Sequence, residues 1–159
     1  MPLIKNGEGI EDHFVTITDD APLPINGTIV SLTRFKAERD TLLARNAPLG
    51  VRLKSAESPE ELGEDVHRLS LIVLEFPIFR DGRAFSWARM LRTRMGFTGE
   101  IRATGHFLYD QLAFMTRTGF DAFEGDFTEA QLARALAEMT NVYQPSADRR
   151  RTIRELRAV

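Results

Sequence analysis

The stretch Leu69–Phe76, LSLIVLEF, is apolar without alternation. A strand that shows water one face reads apolar, polar, apolar; a run apolar at every step needs cover on both faces, as in the middle of a parallel sheet. Around this run the chain alternates strand-like and helix-like segments. The spacing predicts strands starting at Thr28, at Leu49–Leu53, at Glu100–Thr104 and at Phe120–Phe123. Helices are predicted from Thr33 to about Asn46, Ser58 to Arg68, Phe85 to Met95, His106 to Thr118, and Thr128 to about Val142. Ser58-Pro59-Glu60-Glu61 combines a capping serine, a first-turn proline and early acids. Gly96 and Gly119 suit helix C-terminal caps.

Alternation of this kind predicts an α/β fold. The reading is a five-stranded, mainly parallel, flavodoxin-like sheet with helices on both faces. A partial (β/α) barrel is the alternative, because strand order is not written locally. In front of it, PLIK and IEDHFVTI flank Asn6-Gly7 as an N-terminal β-hairpin. The division is 1–26 for hairpin and loop, 27–142 for the α/β domain, and 143–159 for a basic tail.

The chain's 159 residues suit one domain. It has no cysteine, which excludes disulfides, a thiolate nucleophile and cysteine-held iron–sulfur or zinc. Its net charge of −2 argues against a dedicated nucleic-acid binder. The N-terminus lacks a basic start followed by an apolar run, and the longest apolar stretch is too short to span a bilayer. The expectation is a cytoplasmic protein with no membrane partner.

In either architecture ligands bind at the carboxyl ends of the strands. The loop after Phe76 carries Asp81, Gly82 and Arg83, and Ser86 follows in the first helical turn. From Arg80 to Arg102 there are six arginines, no lysine, and only Asp81 and Glu100 as acids. Arginine binds oxyanions through paired donors. Asp81, Arg83, Ser86, Trp87, Arg89, Arg92 and Arg102 are therefore candidates for an anion site or a partner-docking face. The plain alternative is a solvated helix face paired with the acids of 120–138.

The loop after Thr104 adds Gly105, His106, Asp110 and Gln111. His106 and Asp110 are one helical turn apart, the spacing of an acid–base pair or of a cap contact. Glu124 and Asp126 could hold a cation with Asp81 or Glu75, but helix capping explains Asp126 more simply, and no metal site is expected. Trp87, Phe79 and Phe85 suit stacking on a flavin, or a core. There is no G-x-G-x-x-G after the first strand, no Walker A sequence and no G-x-S-x-G.

The segment from Leu71 to Asp126 contains DGR, FS, AR, LR, GFTGEIRATG and GFDAF in order. With these motifs, which include Asp110, Gln111 and Arg117, the chain resembles a bacterial domain-of-unknown-function family. Its members are described as oxidoreductases linked to sulfite reduction, a label drawn largely from gene neighbourhood. The resemblance implies a pathway, assimilatory sulfite reduction, and carries over no catalytic residue. Members often have cysteine where this chain has Thr118, so essential thiol chemistry there is not carried over.

Three functions follow as expectations. The first is an accessory protein of sulfite reduction, docking on sulfite reductase or its electron donor through the arginines and Trp87. The second is a flavin- or nicotinamide-dependent oxidoreductase of the same pathway. The third is an α/β enzyme binding an oxyanion or small molecule at the strand ends, with Asp81, Arg83, Arg102 and Asp110 converging. A homodimer built on the Phe-rich loop is a structural alternative to all three.

Overall fold

The computed structural model describes residues 3–138 and 141–158. Its one sheet has eight strands: β1 (Leu3–Lys5), β2 (Glu8–Ile10), β3 (Phe14–Thr16), β4 (Gly27–Ser31), β5 (Leu49–Leu53), β6 (Leu71–Phe76), β7 (Glu100–Gly105) and β8 (Ala122–Glu124). They lie in the order β2-β1-β8-β7-β6-β5-β4-β3. The neighbours from β3 to β8 are parallel, and β1 pairs antiparallel with both β8 and β2.

This corrects the flavodoxin-like expectation. A flavodoxin-like sheet reverses its strand order once; here β3 to β8 follow one another without reversal, so every crossover turns the same way. The sheet is mixed, has eight strands rather than five, and curls into a half-barrel, as the alternative reading had it. The helices α1 (Leu32–Ala37), α2 (Arg39–Leu43), α3 (Arg83–Thr93), α4 (Leu112–Thr118) and α5 (Glu129–Ala137) follow their strands, and α6 (Ile153–Arg157) lies in the tail. They do not cover both faces. The main core joins Val51, Ile72, Leu74, Phe76 and Ile101 to helical residues such as Phe35, Leu91, Leu112 and Leu132. The opposite, concave face packs Ile29, Leu71 and Val73 against Phe14, with no helical residue. β6 is buried on both faces, as its sequence requires, but its second cover is the sheet's own curl.

The N-terminal segment accounts for that curl. Asn6 and Gly7 both have positive φ, the conformation of a tight two-residue hairpin turn, so β1 and β2 form as expected. The second run does not continue as one strand. β2 ends at Ile10, and Phe14–Thr16 becomes β3 at the far edge of the sheet. Only Glu11, Asp12 and His13 join the two edges. A flat eight-stranded sheet is about 34 Å wide, whereas this link reaches about 14 Å at most. The sheet must therefore curl until its edges come within that reach.

Asp12 of this strap meets Arg102, which points into the concave face from β7 and is 1% exposed. The guanidinium also donates to Glu100 and Glu124, at 2.9 Å each, and lies over the Phe14 ring. Lys5 pairs with Glu100 at 2.7 Å. Burial disfavours a charged Arg102, but its hydrogen bonds to Asp12 and Glu124 and the charge of Glu100 outweigh this and raise its pKa further.

Other local differences are small. Ser31, not Thr33, caps the first helix, which breaks at Glu38 into α1 and α2. Ser58 and Pro59 start a helix as expected, but Pro59–Arg68 is a 3-10 segment interrupted at Gly63. Thr128 caps α5 with Gln131 in reciprocal position. The expected extension of that helix to Val142 runs into residues outside those described. No helix among the described residues is long and apolar enough to cross a membrane.

Candidate functional site

Three loops leave the carboxyl ends of β6, β7 and β8 side by side. Their spacing starts at Gly105, whose φ is +97°. A Cβ there would lie 2.3 Å from the Phe76 carbonyl oxygen, and that same carbonyl accepts from the His106 N–H at 2.7 Å. Only glycine lets the two chains approach this closely. Gly125 acts similarly on the third loop: a Cβ would lie 2.2 Å from the Phe127 ring, which folds back over it.

Between the loops is a cavity of about 890 Å³. Pro77, Ile78, Phe79 and Arg80 line it from β6; Gly105 to Tyr109 from β7; Gly125, Asp126, Phe127 and the side of α5 at Gln131 from β8. Phe107 and Phe127 pack edge-on at 6.0 Å, and both rest on Phe123. Phe107 also packs on Phe76, so the floor is continuous with the core. Above that floor Ile78, Phe79, Leu108 and Tyr109 are 57, 44, 46 and 37% exposed. Scattered exposed apolar residues are normal; these four lie together on one concavity.

Gln111 holds two of the loops together. Its Oε1 accepts from the Leu108 N–H at 2.8 Å, and its Nε2 donates to the Phe79 carbonyl at 3.1 Å. The first loop is also pinned at its other end. Arg83 donates to both oxygens of Asp81, at 2.9 and 2.7 Å, and to Ser55 Oγ at 2.9 Å. Trp87 Nε1 donates to the Ser55 carbonyl. The Arg83 hydrogen bonds, then that from Ser55, hold the Asp81 carboxyl well below the usual carboxylate range.

The sequence-predicted site residues thus scatter. Gly105 lines the cavity and Gln111 braces it. Asp81 and Arg83 neutralise each other beside Ser55. Ser86 and Arg89 are exposed on α3, and Trp87 is half-buried beneath it. Arg92 serves the fold: it donates to the carbonyls of Phe97, Gly99 and Gly119 and pairs with Asp121. Arg102 is sealed in the concave face. Arg117 donates to the Gln144 carbonyl and pairs with Asp148, holding the tail. Asp81, Arg83, Arg102 and Asp110 do not converge.

His106 and Asp110 are not on one helical turn, because regular structure begins only at Tyr109. His106 faces the cavity; Asp110 does not. Glu124 binds Arg102 while Asp126 lines the cavity, and no metal-holding group of three acids or histidines occurs among the described residues. Of the three aromatics suited to a flavin, only Phe79 lines the cavity. Sequence reasoning missed Leu108, Tyr109 and Phe127. The available signal was their position: apolar residues just past a strand-ending glycine, where a plain loop would be polar.

A family model described as "Bacterial protein of unknown function (DUF934)" matches residues 50–154. These include every residue lining the cavity. No curated protein and no solved structure matches the chain.

Proposed function

The chain belongs to this bacterial family of unknown function, DUF934, and from that premise we propose that it binds a small molecule with a flat ring system at the carboxyl ends of β6, β7 and β8. The observation that carries the proposal is the aromatic-floored cavity with exposed apolar walls. Aromatic rings take flat ligands by stacking or edge contact, gaining about 0.5–1.5 kcal/mol per pair beyond area burial. The cavity volume lies within the usual range for ligand sites, roughly 300–1,000 Å³.

This favours the small-molecule readings over docking through the arginine helix. Arg83, Arg92 and Arg94 already have carboxylate partners in the protein, which leaves Arg89 as the one arginine of α3 without such a partner among the described residues. A partner's acids would have to displace them. The proposal includes the setting that the resemblance implies, sulfite reduction, with flavin and nicotinamide nucleotides as the first ligands to try.

Calorimetric titration and thermal unfolding with flavin mononucleotide, NADPH and sulfite test the proposal. A ligand of the site binds saturably and raises Tm, and Phe107→Ala weakens it at least about tenfold. Flat heteroaromatic ligands that give neither heat nor a Tm rise overturn the binding reading. For the setting, deletion of the gene should impair growth on sulfate and spare growth on cysteine; equal growth on both overturns it.

A further inference from the structure

One arginine is among the residues lining the cavity, and its state differs from that of Arg83, Arg92, Arg94 and Arg102; Arg89, on α3 away from the cavity, is likewise without an acid among the described residues. Arg80 is exposed at the rim, and its guanidinium carbon lies over the Phe79 ring, 5.3 Å from the centroid. Among the described residues no carboxylate is within ion-pair distance of it. Arg83, three residues on, is held by Asp81, and Arg94 and Arg102 have their own acids. A guanidinium over an aromatic face is oriented by that contact while its N–H edge keeps its donors. Those donors have no acceptor among the described residues, and they open on a space floored by rings.

From this, and resting on the proposed cavity reading, we infer that the ligand carries an oxyanionic group, a phosphate, sulfonate or carboxylate, which Arg80 binds while the flat body lies on Phe107 and Phe127. Charge orients the ligand further. Asp126 lines the cavity from the β8 loop, on the other side of the β7 loop from Arg80. It repels an anion from that side. The anionic group therefore sits at the β6 side and the uncharged body toward β8. Preorganisation supports this assignment, because Phe79 and Arg80 belong to the loop that Gln111 and the Asp81–Arg83 pair hold at both ends.

Two fluorescent probes that differ by one anionic group test it: 1-anilinonaphthalene-8-sulfonate and its uncharged parent, N-phenyl-1-naphthylamine. The native protein should bind both saturably, the sulfonate at least about tenfold more tightly, as a charged hydrogen bond predicts. Arg80→Met should erase that preference and leave the parent's affinity unchanged, and Arg80→Lys should keep part of it. Arg89→Met, on α3, should leave the preference intact. Equal affinity of the native protein for the two probes overturns the anion inference and spares the cavity reading. So does a preference that survives Arg80→Met. Binding of neither probe overturns both.

Discussion

Arg102 and Arg80 sit twenty-two positions apart and show what an arginine does for a fold and what it does for a site. Arg102 is buried and meets three carboxylates, from the strap, from its own strand and from β8. Arg80 is exposed and meets a ring but, among the described residues, no carboxylate. The first arrangement leaves little for a ligand to gain. The second is inexpensive to the fold, because water solvates the guanidinium, and it leaves charge and donors free for a ligand. In a stretch with six arginines, count and spacing do not separate the two kinds. Saturation by partners does.

Arg102→Met is the hardest test of the structural half of this comparison. It removes the guanidinium that Asp12, Glu100 and Glu124 share and leaves Lys5 beside Glu100, and removing one partner from a buried ion cluster costs about 3–5 kcal/mol. Chemical denaturation should show a loss of that size, with the edges of the half-barrel exchanging amide hydrogens faster. A loss below about 1 kcal/mol would mean that the strap does not depend on this cluster.

Arg92→Ala should cost somewhat less, about 2–3 kcal/mol, through the three carbonyls it leaves unserved and the ion pair lost by Asp121, which keeps its bond from the Ile101 N–H. The measurement is again denaturation. If binding of the naphthalene sulfonate fell while stability held, Arg92 would belong with Arg80 instead.

Asp12→Asn sharpens the comparison through pH. Burial raises the pKa of Asp12, but hydrogen bonds from Arg102 and the Phe14 N–H, with the guanidinium charge, outweigh it and leave the pKa lowered. A carboxylate with a lowered folded pKa stabilises above its unfolded value of 3.8 and loses that stability as pH falls through the folded value. With the side chain partly exposed, the contribution is roughly 1–2 kcal/mol. The native protein should therefore exceed the variant by that margin at pH 7, and the gap should close below about pH 4. A gap independent of pH would show that the carboxylate's charge is not what holds the strap.

The sequence carried the elements well and their arrangement poorly. β4 to β8 were each legible as strands, β6 most clearly because burial on both faces writes a continuous apolar run, whereas β3 read as part of the hairpin. Strand order was not legible, because β4 to β8 would read the same in a flavodoxin-like sheet. The closing feature, an apparent single strand from Ile10 to Ile17 that crosses from one edge to the other, depends on Asp12 finding Arg102 ninety residues away. The site was half legible: glycines at strand ends marked the right loops, but arginine density pointed to α3, where hydrogen bonds within the fold use the charge. Gln111 matched the family motif, yet that it braces Phe79 depends on the β6 and β7 loops lying together, which Gly105 permits.

Gln111 gives a smaller, more selective effect than the buried arginines. Gln111→Leu removes both the acceptor for Leu108 and the donor to Phe79, whereas Gln111→Glu keeps the acceptor and loses the donor. The leucine variant should lose about 1 kcal/mol of stability and the glutamate variant less, as expected for exposed neutral hydrogen bonds. Both should weaken the naphthalene sulfonate about three- to tenfold and make amides of 78–82 exchange faster. Equal binding by all three proteins would mean that the loops hold their places without the bridge.

The smallest expected effect is on the stability of Arg80→Ala, and it bears most directly on the contrast with Arg102. The guanidinium has no carboxylate partner among the described residues and the Phe79 ring it contacts is exposed, so no described core residue loses a partner when the side chain is cut back. Surface substitutions of this kind stay within about ±0.5 kcal/mol. Equilibrium denaturation of Arg80→Ala should superpose on that of the native chain, with an unchanged slope, while its sulfonate binding falls. A stability loss above about 1 kcal/mol would place Arg80 with Arg102 as a residue of the fold, and any fall in binding would then follow from a displaced loop.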